Sequence, residues 1–105
     1  KIINFSNVKT FFSKIKKKKI VIHCHGVFDL VHPGHIRHFA HCRSKADVLV
    51  VSVTPDIYIK KGKYRPLIPE KMRAGNLSAL EMVYFVIIDK NKFHYQLRDF
   101  RHDPN

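Results

Sequence analysis

The chain predicts an α/β fold of the Rossmann-like kind: a three-layer α/β/α sandwich around a parallel sheet. Three observations predict it. Lys19–Cys24 (KIVIHC), Asp47–Thr54 (DVLVVSVT) and Tyr84–Asp89 (YFVIID) are near-continuous apolar runs, the pattern of strands buried on both faces. Segments with helical spacing separate them, and alternation of helix and strand implies a parallel sheet covered on both sides. Finally, 105 residues with 45% hydrophobic content fit one domain and leave no room for a second core.

Taken in order, Val8, Phe11, Phe12 and Ile15 recur at helical spacing, so 6–16 reads as a short amphipathic helix, the body of a basic N-terminal helix assigned to 1–18. The first strand follows at 19–24, then a loop at 25–32. Pro33 suits the first position of the next helix because its φ is already fixed, with Ile36, Phe39 and Ala40 as the expected core face. The second strand is 47–54, and 55–69 is mostly loop. A helix is expected over 70–81, weakened by about 1 kcal/mol at Gly75. The third strand is 84–89, and 93–101 reads as a last helix. This gives a single domain over 1–105, with its core at 19–92 and a C-terminal segment at 93–105.

Lys+Arg is 20 against 8 for Asp+Glu, a formal charge of +12. Lysines 1, 9, 14 and 16–19 supply seven of these charges with no acid among residues 1–19. Lys16–Lys19 reads either as a polyanion contact or as a solvated helix end, and charge runs are usually the latter. A second cluster, Lys60, Lys61, Lys63, Arg65, Lys71 and Arg73, lies beside Gly62, Pro66 and Pro69, where loops at a sheet edge often carry function. No run approaches the roughly 18 apolar residues of a membrane span, and no signal-peptide pattern follows the basic start. Two cysteines, Cys24 and Cys42, are too few for a disulfide framework, so a reduced, cytoplasmic chain is expected.

The segment that carries chemistry is His25-Gly26-Val27-Phe28-Asp29-Leu30-Val31-His32-Pro33-Gly34-His35. It follows a strand and opens a helix, whose N-terminal N–H groups and dipole favour phosphate. His32 falls near the N-cap and His35 three residues on, on the same side of the helix, so both imidazoles can address one phosphate. Gly34 removes a side chain between them, and Gly26 does so at the strand end. Donors aimed at the oxygens of a reacting phosphorus stabilise its transition state. A phosphate nucleophile needs no strong base, so positioning and charge neutralisation are what the protein must supply. The 60–65 loop and Arg73 suit that neutralisation.

Gly26-Val27-Phe28-Asp29 with His32-Pro33-Gly34-His35 resembles the GxFD…HxGH signature of cytidylyltransferase-like nucleotidylyltransferases. Residues 19–92 are most similar to the adenylyltransferase component of ADP-heptose synthase and its sugar-phosphate relatives, through HCHGVFDLVHPGHIRHF, DVLVVSVTPD, KGKYRP and MRAGNLSALEMV. The resemblance implies transfer of a nucleoside monophosphate from ATP or CTP, with Mg²⁺, to a phosphorylated sugar or polyol, releasing pyrophosphate. It implies that His32 and His35 are catalytic, and that Gly26, Val27, Phe28, Gly34, Lys61 and Lys63 bind the nucleotide. Asp29, Arg73 and Lys90 would then face the acceptor. Relatives are often dimers, so the resemblance admits a homodimer, while the sequence itself does not specify the oligomeric state. Two departures stand out. Relatives continue to a Ser/Thr-containing helix start that grips the triphosphate, not found before Asn105, so a C-terminally short domain is expected. Tyr84 also stands where relatives commonly carry an acid.

Plainer roles exist for several of these residues: a cap or loop hydrogen bond for Asp29, solvated loop lysines at Lys61 and Lys63, a helix-surface cation at Arg73. A metal reading of His35, His38 and Cys42 with His23-Cys24-His25 lacks any paired CxxC or HExxH spacing, and no metal site is expected. Two other functions compete: a nucleotide-binding module without turnover, and a basic RNA-binding domain. Nucleic acid is disfavoured because the aromatics lie in apolar runs and do not interleave with the basic residues. Absence of GxGxxG and GxxxxGK[ST] disfavours dehydrogenase and P-loop chemistry.

Overall fold

The computed structural model describes residues 2–3, 8–15, 19–59, 68–89 and 101–103, without side chains at 8, 9 and 101–103. Five strands, β1 (Ile2–Ile3), β2 (Val21–Gly26), β3 (Val48–Val53), β4 (Phe85–Ile88) and β5 (Arg101–Asp103), form one sheet. Their spatial order is β1-β4-β3-β2-β5, and all four pairings are parallel. Three helices are described: α1 (Val8–Ser13), α2 (Pro33–Ser44) and α3 (Glu70–Ser78), and a 3₁₀ turn spans Asp56–Tyr58. The Rossmann-like α/β expectation holds.

Period-two alternation along the strands sorts side chains onto two faces. Ile22 and Cys24 of β2, Leu49, Val51 and Val53 of β3, and Val86 of β4 pack with Phe39 and Cys42 of α2 and Ala74 and Leu77 of α3. The alternate residues Val21, Val50 and Ile87 pack with Phe12 of α1, flanked by Phe11, Ile15 and Phe85. One helix therefore covers one face and two cover the other.

Two expectations need correction, and a third lies almost wholly outside the described residues. On α2, Phe39 is buried but Ile36 and Ala40 are exposed; the buried stripe runs through Phe39 and Cys42. The cause is Phe28, which folds back from the loop against Phe39 at 5.4 Å between ring centroids and turns that side of the helix inward. Ile36 and Ala40 lie about 100° round the helix from His35 and Phe39. The edge strand β1 was not anticipated, since two residues carry no period. The last helix expected over 93–101 lies outside the described residues except at Arg101, which begins β5. A polar Arg-His-Asp triplet offers no apolar signal, and main-chain pairing to β2 makes it a strand.

This order places β2 inside the sheet, with β3 on one side and the edge strand β5 on the other. The chain builds outward from β2 through β3 to β4, then crosses back. The carboxyl end of β2 therefore opens at the reversal of strand order, where open α/β sheets bind ligands. Among the described residues no helix is long and apolar enough to cross a membrane.

Candidate active site at the start of the second helix

The loop after β2 ends at His32, the N-cap of α2, with extended backbone (φ −118°, ψ 171°) and Pro33 directly after it. The two imidazoles cap the helix reciprocally. His32 Nδ1 accepts from the Gly34 N–H at 3.0 Å, and His35 Nδ1 accepts from the His32 N–H at 3.2 Å. This is a capping box built from histidines. It brings the rings to 3.9 Å between centroids, tilted by 32°. Both Nδ1 atoms accept, so in the neutral rings the proton resides on each Nε2, leaving two Nε2–H donors on the opposite ring edges. His32 is exposed and His35 half-buried.

Gly34 serves a different purpose from the one expected. A Cβ there would lie 2.7 Å from His32 Cε1, so the space that glycine leaves holds the imidazole. Gly26 likewise accommodates Phe28, whose Cζ would sit 2.9 Å from an added Cβ. Phe28 adopts a positive φ of 52°, uncommon and strained for a bulky residue. Its ring is buried and meets His35 edge-on at 5.5 Å. The Phe28 side chain is thus a floor under His35.

The Val27 carbonyl accepts from Arg73 Nη1 at 2.7 Å. Asp29 is buried, and its Oδ1 accepts from the Ile68 N–H at 2.8 Å, closing the loop onto the segment before α3. That is the plainer of its two roles. Arg73 is fully buried. Its Nε donates to Ile68 O (2.8 Å), its Nη1 to Val27 O and Thr54 O (both 2.7 Å), and its Nη2 to Asp56 Oδ1 (2.5 Å). The guanidinium joins the β2–α2 connection to both ends of the β3–α3 connection and does not face solvent, where the sequence placed it facing the acceptor. Asp56, unremarked in the sequence, also accepts from the Glu70 N–H at 3.2 Å through Oδ2, capping α3 where the apolar Pro69 ring offers no acceptor. Lys61, Lys63 and Lys90 lie outside the described residues.

The sequence reading also missed a polar row at the carboxyl ends of β2, β3 and β4, on the α1 face. Ser52 Oγ lies 2.6 Å from His23 Nε2 and 2.5 Å from His25 Nδ1. One hydroxyl proton cannot serve both, so Ser52 donates to one ring and accepts from the other. His25 Nε2 meets Thr54 Oγ1 at 3.2 Å, and its Nδ1 lies 3.8 Å from Asp89 Oδ2. Two histidines at i and i+2 in an apolar strand were the available signal.

The His35 pKa is lowered, chiefly by burial and then by the neighbouring His32 and His38. Protonation at Nδ1 would also set a donor against the His32 N–H. Between the depressed folded value and the ordinary value of about 6.5, the unfolded chain binds more protons, so stability rises with pH. The expected result is a loss of stability as pH falls below about 6.5, levelling off below the folded value. His35→Asn should remove that part of the acid limb in urea titrations run across pH.

Fold and site together define a Rossmann-like α/β domain with a paired-imidazole helix start after β2, where the strand order reverses. The chain belongs to the cytidylyltransferase-like family, whose model matches residues 23–103. It is 42% identical over 77 residues to the bifunctional protein HldE of Geobacter metallireducens, covering 71% of this chain and 16% of that protein. Against the bifunctional protein HldE of Aliarcobacter butzleri it is 34% identical over 101 residues, 88% of this chain and 21% of the relative. The chain thus spans about a fifth or less of these relatives. The crystal structure of the lipopolysaccharide core biosynthesis protein from Thermoplasma volcanium GSS1 has a TM-score of 0.66 at 27% identity, covering 76% of this chain and 67% of that one.

Proposed function

We propose that the chain is a nucleotidylyltransferase domain that moves a nucleoside monophosphate from ATP or CTP to a phosphorylated sugar or polyol and releases pyrophosphate. The observation that carries this reading is the close His32–His35 pair at the N-cap of α2, beside the reversal of strand order. The similarity to HldE proteins favours a sugar-phosphate acceptor.

In the proposed reaction an acceptor phosphate oxygen attacks the α-phosphorus, and the bond to the bridging oxygen of pyrophosphate breaks. The attacker is already an anion, so no base is required. Charge grows on the phosphoryl oxygens, and the two Nε2–H donors are suited to receive it. Mg²⁺ enters with the triphosphate as part of the substrate. Lys61, Lys63 and Lys90 are proposed to neutralise the nucleotide and acceptor phosphates.

The test is pyrophosphate release from each nucleoside triphosphate, with and without a panel of sugar phosphates. Acceptor-dependent release supports the proposal. Nucleotide binding with no release under any acceptor would favour a module without turnover. RNA affinity with a steep salt slope, undiminished by excess ATP or CTP, would favour the nucleic-acid reading.

Gly34→Ala separates stability from site geometry. Alanine gains about 1 kcal/mol of helix propensity, while displacing His32 loses a cap also worth about 1 kcal/mol. Stability in urea should therefore barely move. Turnover should fall by about tenfold to 10²-fold, because the imidazole is displaced.

A further inference from the structure

We propose that Cys24, His38 and Cys42 form a Zn²⁺ site that joins β2 to α2. Their ligand atoms all lie within 4.8 Å of one another. Cys24 Sγ is 3.9 Å from Cys42 Sγ, and Cys42 Sγ is 3.6 Å from His38 Nε2. Zn–S bonds of about 2.3 Å and Zn–N bonds of about 2.0–2.1 Å at tetrahedral angles place two sulfurs about 3.8 Å apart, and a sulfur and a nitrogen about 3.6 Å apart. The spacings of Cys42 to its two partners match both, and with the third pair also within 4.8 Å, a small side-chain shift closes the set around an ion.

The sequence places these donors for physical reasons. His38 and Cys42 are four residues apart on α2, hence on one side of it, and Cys24 points toward α2 from the face that carries Ile22. Both cysteines are buried and His38 is half-buried, which gives the ion a way in from the helix surface. Two thiolates and a neutral imidazole balance the charge of Zn²⁺, so the site can lie in an apolar layer without an uncompensated charge. Soft sulfur with imidazole selects zinc over magnesium or calcium. Three protein ligands leave the fourth tetrahedral position to water.

Cys24 lies two residues before Gly26, and His38 three after His35. The ion would therefore fasten together the two arms of the loop that ends in the paired imidazoles. His38 and Cys42 share a short helical spacing, but their meeting with Cys24 of β2 is set by the fold.

The test is a titration of the metal-freed, reduced chain with Co²⁺, followed by displacement with Zn²⁺. Expected are one ion per chain, a tetrahedral ligand-field spectrum with thiolate charge-transfer absorption, release of the two thiol protons, and a higher thermal midpoint with Zn²⁺. Cys42→Ser and His38→Ala should each weaken binding by about 10²-fold or more, since even outer-shell partners cost 10–100-fold. His38 is half-buried, so His38→Ala tests the site even where the cysteine variant fails to fold. His32→Ala should leave Co²⁺ binding unchanged. An octahedral spectrum, binding well below one ion per chain, or binding that survives His38→Ala but not His32→Ala would overturn the proposal. None of these readouts requires nucleotide, so the outcome is independent of the proposed activity.

Discussion

His35→Ala is expected to lower pyrophosphate release by about 10²–10³, the usual loss on removing one donor aimed at a developing oxyanion. The fall should appear in kcat more than in KM for the triphosphate, because the donor acts mainly in the transition state. The structural cost is small by comparison. The variant frees the His32 N–H that His35 Nδ1 now accepts and removes an edge contact with Phe28, a loss on the scale of one helix cap, about 1 kcal/mol. Far-ultraviolet circular dichroism and a thermal midpoint close to the parent's would show that the fold persists. Initial rates within threefold of the parent would remove His35 from the mechanism.

Arg73→Ala should be strongly destabilising, at about 3–5 kcal/mol, comparable to truncating a large core side chain. Most of this comes from the part-buried carbonyls of Val27, Thr54 and Ile68, which lose their donor. The Asp56 carboxylate is 41% exposed, so water screens much of that ion pair and it contributes the smaller share. Against a typical domain stability of about 5–15 kcal/mol, the loss should shift the urea midpoint substantially. Arg73→Lys should not restore it, since one ammonium cannot reproduce a planar fork with donors in several directions. A variant as stable as the parent but with a raised KM for the acceptor would show instead that Arg73 contacts substrate.

Arg73 also shows where sequence reading stops. A cation in the first turn after a basic loop looks like a phosphate ligand. Only the convergence of Val27, Thr54 and Ile68, up to 46 residues away in sequence, makes it an internal joint. Asp29 follows the same logic through Ile68, 39 residues on. His32 and His35 were legible because their encounter is local: a proline at the first helical position and a three-residue spacing decide it. The Ser52-centred row was not, because it requires knowing which residues of β2, β3 and β4 stand side by side.

What the linear chain determined alone was therefore everything set by short-range periodicity and stereochemistry: three apolar strands, the helices between them, the parallel α/β class, and the imidazole pair at a proline-started helix. The tertiary structure alone decided the edge partners β1 and β5, the inward rotation of α2 imposed by Phe28, the burial of Arg73, and the meeting of Cys24 with His38 and Cys42. Those outcomes depend on packing between segments distant in sequence, and no local propensity records such contacts.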